Sequence, residues 1–366
     1  MVKVALVHDY LKEYGGAERV LMALHEMFPE APIYTIFSTP GSPAAIEFRT
    51  ARIVQSWFSW IPFCEKLISP LRFLIPLIWS STNLDGYDLI ISSASWAITK
   101  GFSNGKNKEI CYCHTPPRFL YGYETSRNWK KHWYIRVYAT IVNHFLRMYD
   151  FKRAQKVTQF MANSLETQKR IEKFYRRDSF VINPPVDVEK IKRYKGDEGN
   201  KGKYFITGGR LEAAKKFDLI IQACNTFKAP LKIFGRGSQE EYLKKIAGDT
   251  VEFLGPIPDE EKFRLIGSAK AFIVAGQDED FGITPVEAMA AGTPVVAFKS
   301  GGYLESVVPD KTGIFFDEYT SLSLSRAMQK VGKMKFEKKE LQKQAERFSK
   351  EKFVERMKEI VYAGIA

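Results

Sequence analysis

The sequence predicts an α/β protein with two doubly wound domains. Short apolar runs alternate with segments of helical periodicity, and this alternation occurs twice along the 366 residues. Strands separated by such long connections form parallel sheets whose faces are covered by helices. The chain is also longer than one hydrophobic core usually supports. We therefore expect two Rossmann-like domains that face a central cleft.

The first domain is predicted to span residues 1–195. It opens with the apolar run Val2–His8, which is followed by a turn at Gly15 and Gly16 and by helical periodicity over Ala17–Met27. The further strands predicted in this domain are Pro32–Phe37, Leu89–Ser93, Glu109–Cys113 and Gln159–Asn163.

The second domain is predicted to span residues 196–345. The polar, glycine-bearing segment Tyr194–Lys203 is typical of a linker. Residues 346–366 belong to the charged helical pattern Lys335–Tyr362 and are expected to form a C-terminal helix. The strands predicted in this domain are Tyr204–Gly208, Leu231–Phe234, Val251–Leu254, Ala271–Ala275 and Pro294–Phe298.

The composition excludes several classes of protein. An apolar content of 45% is too high for a disordered chain. Lys3 and Asp9 interrupt the first apolar run, so no secretory signal is predicted. No uncharged apolar stretch reaches the roughly 18–20 residues needed to span a bilayer. The four cysteines have neither disulfide nor metal-ligand spacing, so we expect buried thiols in a reducing cytoplasm.

Basic charge is concentrated in the first half of the chain. Residues 1–195 hold 28 basic and 17 acidic side chains, a net charge of +11. Residues 196–366 hold 27 basic and 25 acidic side chains, a net charge of +2. The two halves should therefore contact different partners. No reader motif accompanies the positive charge, so no nucleic acid is expected as a partner.

Glu279 and Glu287 bracket the most informative stretch of the sequence. This stretch joins a predicted strand to a predicted helix start at Thr284, and ligands of open α/β sheets bind at that edge. Carboxylates accept hydrogen bonds from hydroxyl groups, and a helix N-terminus attracts anions. A purely structural interpretation stays open, because Thr284, Pro285 and Glu287 have the spacing of a capping box.

Two cations and two glycines are candidates for binding a diphosphate. Arg210 and Lys215 follow the predicted strand Tyr204–Gly208, and a guanidinium with an ammonium suits phosphate. Both would also be ordinary as solvated loop cations. Gly15 and Gly16 would allow the backbone of the first domain to approach the same group, or would form a plain strand-to-helix turn.

His114 directly follows the predicted strand Glu109–Cys113, where either a ligand contact or a structural role is open. His8 and Asp9 end the first predicted strand and are candidates for the acceptor side. The other histidines fall in helical patterns, and no catalytic role is predicted for them; they are His25, His132 and His144.

These motifs, in this order, resemble those of the retaining glycosyltransferases of family 4, which have the GT-B fold. The resemblance covers nearly the whole chain. It implies the GT-B fold, in which a C-terminal helix crosses back to the first domain. The segments that carry it are Gly15–Arg19, Asn183–Asp187, Gly209–Leu211 with Lys215, Glu279–Ala297 and Ser300–Gly302.

The resemblance also implies a role for each candidate residue. Glu287 would accept hydrogen bonds from a ribose, and Glu279 would accept them from the transferred sugar. His114 would contact that sugar and assist its reacting face. Arg210 and Lys215 would stabilise the departing diphosphate. The backbone of Gly15 and Gly16 would approach the diphosphate, and that of Phe281, Gly282, Ile283 and Thr284 would contact the sugar and phosphate.

The reaction implied is a metal-independent, retaining transfer of a hexose from a nucleotide sugar, without a further cofactor. The run from Glu279 to Glu287 resembles surface-polysaccharide mannosyltransferases, so GDP-mannose is the expected donor. A glycan or a polyprenyl-diphosphate-linked glycan is the expected acceptor. The family places its base pocket at Phe234–Gly237 and Gly255–Pro258. A UDP-sugar donor, sugar-nucleotide epimerisation and non-catalytic binding of a nucleotide sugar remain alternatives.

Two segments of the basic half, Val54–Ser80 and Arg127–Lys156, combine aromatic and basic residues. They suit an anionic membrane surface or a lipid diphosphate acceptor, or equally a core or subunit contact. We expect a cytoplasmic protein that lies peripherally on the inner face of the cell membrane. The residues are Trp57, Phe58, Trp60, Phe63, Lys66, Arg72, Phe73, Trp79, Trp129, Lys130, Lys131, Trp133, Tyr134 and Arg136.

Overall fold

A computed structural model describes residues 2–125 and 132–365. The chain divides into two compact units. The described residues of the first unit are 2–123, 132–185 and 351–365, and those of the second are 124–125 and 186–350. No helix within these described residues is long and apolar enough to cross a membrane.

Each unit is built on one parallel sheet. The first has seven strands in the order β3-β2-β1-β4-β5-β6-β7, and the second has six in the order β10-β9-β8-β11-β12-β13. The strands are β1 Val4–His8, β2 Ile33–Thr35, β3 Ile53–Gln55, β4 Leu89–Ala94, β5 Lys108–Cys113, β6 Gln159–Ala162, β7 Ser179–Val181, β8 Phe205–Gly208, β9 Leu231–Phe234, β10 Val251–Gly255, β11 Phe272–Val274, β12 Val295–Phe298 and β13 Gly313–Phe316.

Helices connect most of the strands, as a parallel sheet requires. Short 3₁₀ turns add to them, including Trp57–Trp60 and Ala213–Lys215. The helices are α1 Gly16–Met27, α2 Pro43–Glu47, α3 Cys64–Leu67, α4 Ile75–Ser80, α5 Arg118–Tyr121, α6 Trp133–Lys156, α7 Leu165–Tyr175, α8 Val188–Arg193, α9 Phe217–Phe227, α10 Glu240–Ile246, α11 Asp259–Ser268, α12 Ile283–Ala290, α13 Tyr303–Ser306, α14 Ser321–Lys333, α15 Lys338–Glu346 and α16 Lys350–Ile365.

Successive strand residues pack into different cores, because side chains alternate between the two faces of a sheet. In β1, Leu6 packs into one apolar cluster while Ala5 and Val7 pack into another. In β8, Ile206 and Phe205 are divided in the same way. Burial on both faces explains why these strands read as continuous apolar runs in the sequence.

The two sheets confirm the predicted fold class of two Rossmann-like units. Three short strands were missed by the sequence prediction: β3, β7 and β13. β3 and β7 are edge strands of three residues each, without fully buried side chains. Such strands leave little apolar pattern to detect.

The boundary between the two units along the sequence differs from the one predicted at residue 195. Val186, Val188 and Ile191 are buried in the core of the second unit, so the main segment of this unit begins at Val186. The predicted linker Tyr194–Lys203 therefore lies inside it.

The C-terminal helical pattern is divided between the units. The predicted helical pattern Lys335–Tyr362 contains two helices, α15 and α16, with a break between them. α15 packs against α12 in the second unit. From Glu351 onward α16 belongs to the first unit, where Phe353 and Met357 are buried in the core that also contains α1. The unit boundary at 350/351 replaces the predicted one at 345/346.

Each sheet has one point at which the strand order reverses. In the first sheet it lies between β1 and β4, and in the second it lies between β8 and β11. The loops that leave neighbouring strands diverge there, so a crevice forms outside the carboxyl ends of the strands. Most of the predicted site residues follow one of these four strands or their neighbours.

Candidate active site

Lys215 and Glu279 meet at the reversal point of the second sheet. Lys215 ends the 3₁₀ turn that follows β8, and Glu279 lies in the loop that follows β11. The Nζ atom of Lys215 is 2.6 Å from Oε2 of Glu279. The Lys215 side chain is 37% exposed and that of Glu279 is 17% exposed, so both remain accessible to a ligand. The neighbouring Lys216 instead pairs with Glu124, at 3.0 Å.

The loop that carries Glu279 is held by two glycines of the predicted turn Ser300–Gly302. The backbone N–H of Gly302 donates to the carbonyl oxygen of Glu279 at 2.9 Å. A Cβ atom on Gly302 would lie 2.3 Å from Cα of Phe281, and one on Gly301 would lie 2.4 Å from the Glu279 carbonyl oxygen. Only glycine permits this approach, so the turn fixes where Glu279 stands.

Glu287 does not belong to a capping box. The helix α12 begins at Ile283 and has Gly282 as its N-cap, so Thr284 is its second residue and Glu287 its fifth. The alternative interpretation of Glu287 as a helix-start residue is therefore wrong. Its side chain is nearly fully buried, and Oε1 lies 3.4 Å from Nζ of Lys262.

The beginning of α12 points backbone N–H groups towards the same loop region. Gly282 has a left-handed φ of +83°, which reverses the chain directly before the first N–H groups of the helix. Those first groups have no partner within a helix, and they favour anions. Phe281 is buried against Phe348, with ring centroids 5.3 Å apart, so its side chain anchors the loop.

Arg210 is exposed in the loop after β8, directly before the buried Leu211. The loop lies tightly against the loop after β9, because a Cβ atom on Gly235 would be only 1.9 Å from the carbonyl oxygen of Gly209. The backbone N–H of Leu211 also donates a hydrogen bond to the carbonyl oxygen of Arg236. Arg210 therefore extends from a fixed backbone.

Gly15 and Gly16 form the beginning of α1 in the first unit. Gly15 is the N-cap, and its N–H donates to Oε2 of Glu18 at 2.8 Å. Its φ of −118° is one that any residue adopts, so the backbone angle alone does not require glycine here. The observed turn is compatible with both interpretations of the pair.

His114 follows β5, one strand away from the reversal point of the first sheet, and lies within a buried polar group. Its Nε2 atom is 2.8 Å from Oγ of Ser93, and the same Oγ is 3.0 Å from Nδ1 of His8. Burial, with a contribution from the neighbouring His8, lowers the pKa of His114 to about 4. The imidazole is therefore neutral at physiological pH.

The Asp9 carboxylate forms hydrogen bonds with the loop that follows β4. It accepts hydrogen bonds from the Ser95 hydroxyl at 2.8 Å, from the Trp96 N–H at 2.6 Å and from the Thr99 hydroxyl. A carboxylate so fully occupied anchors the loop after β4, which weakens its candidacy for the acceptor side.

The structure thus forms two clusters. Lys215 and Glu279 are in direct contact, and the Glu279 loop continues through Phe281 and Gly282 into α12, which contains Ile283, Thr284 and Glu287. His114 belongs to the first unit, as do Gly15 and Gly16. The sequence prediction assigned no role to Ser93 or Lys262, and it included Glu18 only as part of the motif Gly15–Arg19. The placement of Ser93 at a strand end next to β1 was the only available signal.

Comparison with solved structures identifies the fold that the two units form. Sucrose-phosphate synthase from Thermosynechococcus elongatus aligns with a TM-score of 0.74 over 99% of this chain and 98% of its own, at 16% identity. Anabaena HepE, solved with UDP and glucose, aligns with a TM-score of 0.70 over 99% and 100%, also at 16% identity. The two parallel-sheet units are therefore those of a GT-B protein.

The family follows from the sequence matches. Residues 14–190 match the family described as Glycosyltransferase Family 4, and residues 188–352 match Glycosyl transferases group 1. Together the two matches span residues 14–352, and the chain is a glycosyltransferase, as its motifs predicted.

Among its relatives are ALG2 alpha-1,3/1,6-mannosyltransferases. The Dictyostelium discoideum protein is 27% identical over 68% of this chain and 67% of its own. The Mus musculus protein is 26% identical over 86% and 84%.

Proposed function

We propose that this glycosyltransferase moves mannose from GDP-mannose, with retention of anomeric configuration, to a glycan or a polyprenyl-diphosphate-linked glycan. Similarity to alpha-mannosyltransferases over most of the chain supports mannose as the sugar. The contact between Lys215 and Glu279 carries the proposal for the site. A nucleotide sugar offers a better partner to each of them, phosphate to the ammonium and hydroxyl groups to the carboxylate.

In this proposal the positively charged groups lie where negative charge develops during the reaction. Arg210, Lys215 and the first N–H groups of α12 receive the negative charge of the departing diphosphate. Glu279 accepts hydrogen bonds from the transferred sugar, and Glu287 accepts them from the ribose. As the bond between the sugar and the diphosphate breaks, an acceptor hydroxyl attacks the same face of the sugar and transfers its proton to the departing diphosphate. The transfer needs no metal, so the proposal expects full turnover in EDTA, and lost turnover would contradict this part.

The experiment is product analysis after incubation with GDP-mannose or a UDP-sugar and candidate lipid-linked acceptors. A thermal-shift panel of GDP, UDP, ADP and their sugars first identifies the base. Stabilisation by GDP-mannose and a mannosylated product support the proposal. Stabilisation by UDP-sugars alone favours the other donor, and a changed sugar without transfer indicates an epimerase. Glu279→Gln should lower turnover by about 100-fold, the loss typical of removing one such interaction.

We also propose that the first unit lies on an anionic membrane surface. Part of the predicted aromatic set belongs to the core, since Phe58 and Trp79 are buried. Trp60 and Phe63, however, are 86% and 73% exposed. The predicted residues 127–131, including Trp129, Lys130 and Lys131, lie outside the described part of the chain.

The helix α6 presents an apolar stripe to solvent. Its exposed residues follow at intervals of three or four, opposite the buried Ala139, Asn143 and Leu146. The only acidic residue of this helix, Asp150, is buried, so the exposed face carries basic charge only. Apolar and basic residues on one helix face suit anionic lipid. The stripe comprises Tyr134, Val137, Ile141, Phe145 and Met148, and the exposed basic residues are Arg136, Arg147, Lys152 and Lys156.

Flotation with vesicles tests this surface. The protein should float with vesicles that contain phosphatidylglycerol and not with purely neutral ones. Ile141→Ser with Phe145→Ser should abolish flotation, whereas Leu322→Ser, at an exposed leucine of the second unit, should not. Equal binding to neutral lipid would contradict the proposal. Loss of a dimer in the double variant would identify the stripe as a subunit contact instead.

A further inference from the structure

Four aromatic side chains form a row along the carboxyl edge of the first sheet. Phe37 follows β2, Tyr10 follows β1, Trp96 follows β4, and Phe119 lies in α5, after β5. These four strands are neighbours in the sheet, and each ring contacts the next. Ring centroids are 5.1 Å apart for Phe37 and Tyr10, 6.4 Å for Tyr10 and Trp96, and 5.4 Å for Trp96 and Phe119. The row therefore crosses the reversal point between β1 and β4, where ligands of open α/β sheets bind.

Trp96 differs from the buried aromatic residues of the same unit. Trp79 is almost fully buried, and its indole N–H donates to the carbonyl oxygen of Ala97 at 2.8 Å. Trp96 is only half-buried. Within the part of the chain that the structure describes, its indole N–H has no hydrogen-bond partner and remains accessible to solvent. Since a buried indole N–H normally finds a partner, this one is available to a ligand.

The loop that carries Trp96 is fixed before any ligand binds. The buried carboxylate of Asp9 accepts hydrogen bonds from the Trp96 backbone N–H at 2.6 Å and from the Ser95 hydroxyl at 2.8 Å. Two residues further on, Ile98 has a left-handed φ of +58°, which is unfavourable for a β-branched residue. Such strain persists only where the surroundings enforce it, and it is concentrated at functional sites.

The chemistry around the row favours a neutral sugar ring over a nucleotide. A pyranose has an apolar C–H face, which suits the flat face of an aromatic ring, and hydroxyl groups that accept from an indole N–H. A nucleotide base would also stack, but its phosphates require cations. The charged group that contacts the Trp96 backbone is instead the carboxylate of Asp9. Arg72, which stacks on Phe119, is held by two hydrogen bonds within the unit.

We propose that Trp96 forms a stacking subsite for a pyranose ring of the acceptor, flanked by Tyr10 and Phe119. An enzyme with this subsite extends an existing glycan, so its acceptor is the product of an earlier sugar transfer. That identity of the occupant rests on the proposed function, whereas the binding of a sugar ring to Trp96 does not.

Saturation-transfer difference NMR of the full chain tests the subsite without requiring catalysis. Aromatic protons of the protein are irradiated in the presence of the methyl glycosides of mannose, glucose, galactose and N-acetylglucosamine. At least one glycoside should receive saturation on its C–H protons. Trp96→Leu, which keeps an apolar side chain without a flat ring, should reduce this signal by about fivefold. Trp96→Phe should retain most of it.

The control is Phe180→Leu, which removes an exposed ring from the edge strand β7 and should leave the signal unchanged. The absence of a signal with all four glycosides would overturn the proposal. An equal signal in Trp96→Leu and in the unaltered protein would do the same.

Kinetics identify the occupant. With GDP-mannose and the glycoside that gives the strongest signal, Trp96→Leu should raise KM for the glycoside by about tenfold and leave KM for GDP-mannose unchanged. A rise confined to KM for GDP-mannose would assign the ring to the nucleotide and overturn the proposal. If glycosides bind in a manner that depends on Trp96 but the unaltered protein transfers no mannose, the proposed function fails and the sugar subsite stands.

Discussion

Two adjacent lysines show how far the candidate site depends on individual side chains. Lys215 and Lys216 have the same chemistry, but Lys215 contacts Glu279 whereas Lys216 contacts Glu124. The difference arises because Lys215 ends a 3₁₀ turn and Lys216 has a left-handed φ of +56°, which directs the two side chains differently. For a single residue, the position along the chain does not identify a function unless the side chain that it contacts is also known.

The pair provides a matched test. Lys215→Gln should lower kcat/KM by about 100-fold, because it removes a cation from the leaving diphosphate. Lys216→Gln removes the same charge one residue away. It should lower kcat/KM by less than about threefold, because exposed ion pairs contribute little. Steady-state kinetics with the identified donor measure both. Equal losses would show that the lysines act only through the general positive charge.

His114 makes stability depend on pH in a defined direction. Its pKa is about 4 in the folded protein and 6.5 in the unfolded chain, so between these values the unfolded chain binds more protons. Stability is therefore lost as the pH falls through this window. From pH 7 to pH 5 the contribution is about 2 kcal/mol. Urea unfolding at the two pH values should show a decline that is smaller by that amount in His114→Gln; an equal decline would contradict the lowered pKa.

At the scale of elements, the loop that carries Glu279 is held in place by the turn Ser300–Gly302, and not by helices or strands alone. The Glu279 loop depends on Gly301 and Gly302, whose missing side chains allow backbone to approach backbone. The beginning of α12 also depends on Gly282, where a Cβ atom would lie 2.7 Å from the side-chain ring of Tyr303. The glycines thus set the geometry at which Glu279 meets Lys215.

Gly301→Ala should therefore reduce both stability and turnover. The new Cβ would lie 2.4 Å from the Glu279 carbonyl oxygen, at a φ of +56°. Gly202→Ala is the control, because it has a φ of +72° and nothing within 4 Å of its Cβ. Both should lose about 1 kcal/mol from backbone strain, and Gly301→Ala about 1–3 kcal/mol more from the collision. Urea midpoints and kcat measure the difference, and similar values for the two variants would contradict the packing role.

At the scale of the whole molecule, the last helix joins the end of the chain to the unit in which the chain begins. Met357 and Val361 are completely buried in the core that contains Leu6 of β1 and Leu24 of α1. Phe353 packs edge-on against Tyr112 of β5, with ring centroids 5.8 Å apart. The core of the first unit therefore depends on side chains from α16.

Tryptophan fluorescence can test this dependence. All six tryptophans precede residue 134, and those that the structure describes belong to the first unit. Met357→Ala should lower the free energy of unfolding reported by tryptophan by about 2–5 kcal/mol. Leu341→Ala, at an equally buried site of α15 in the second unit, should leave the tryptophan-reported transition in place. Equal shifts would show that the two units unfold as one.

Much of the fold and part of the site were predictable. Strand-length apolar runs identified ten of the strands named above, because burial on both faces leaves a local signature in sequence. Lys215 and Glu279 were predictable as loop residues at strand ends. Their contact was not, since it joins residues 64 positions apart. Ser93 was predictable only as the last residue of a predicted strand, because its contacts depend on two rings brought to it by neighbouring strands.

The sequence by itself determined the fold class, the family and the loops that carry the candidate groups, since periodicity, chain length and motif order are local properties. The tertiary structure decided which charged groups pair, that Glu287 lies a full turn inside α12, and that the unit boundaries fall at 185/186 and 350/351. It also decided which hydrogen bonds orient His114. These features depend on contacts between residues that are distant in the chain, and only packing brings such residues together.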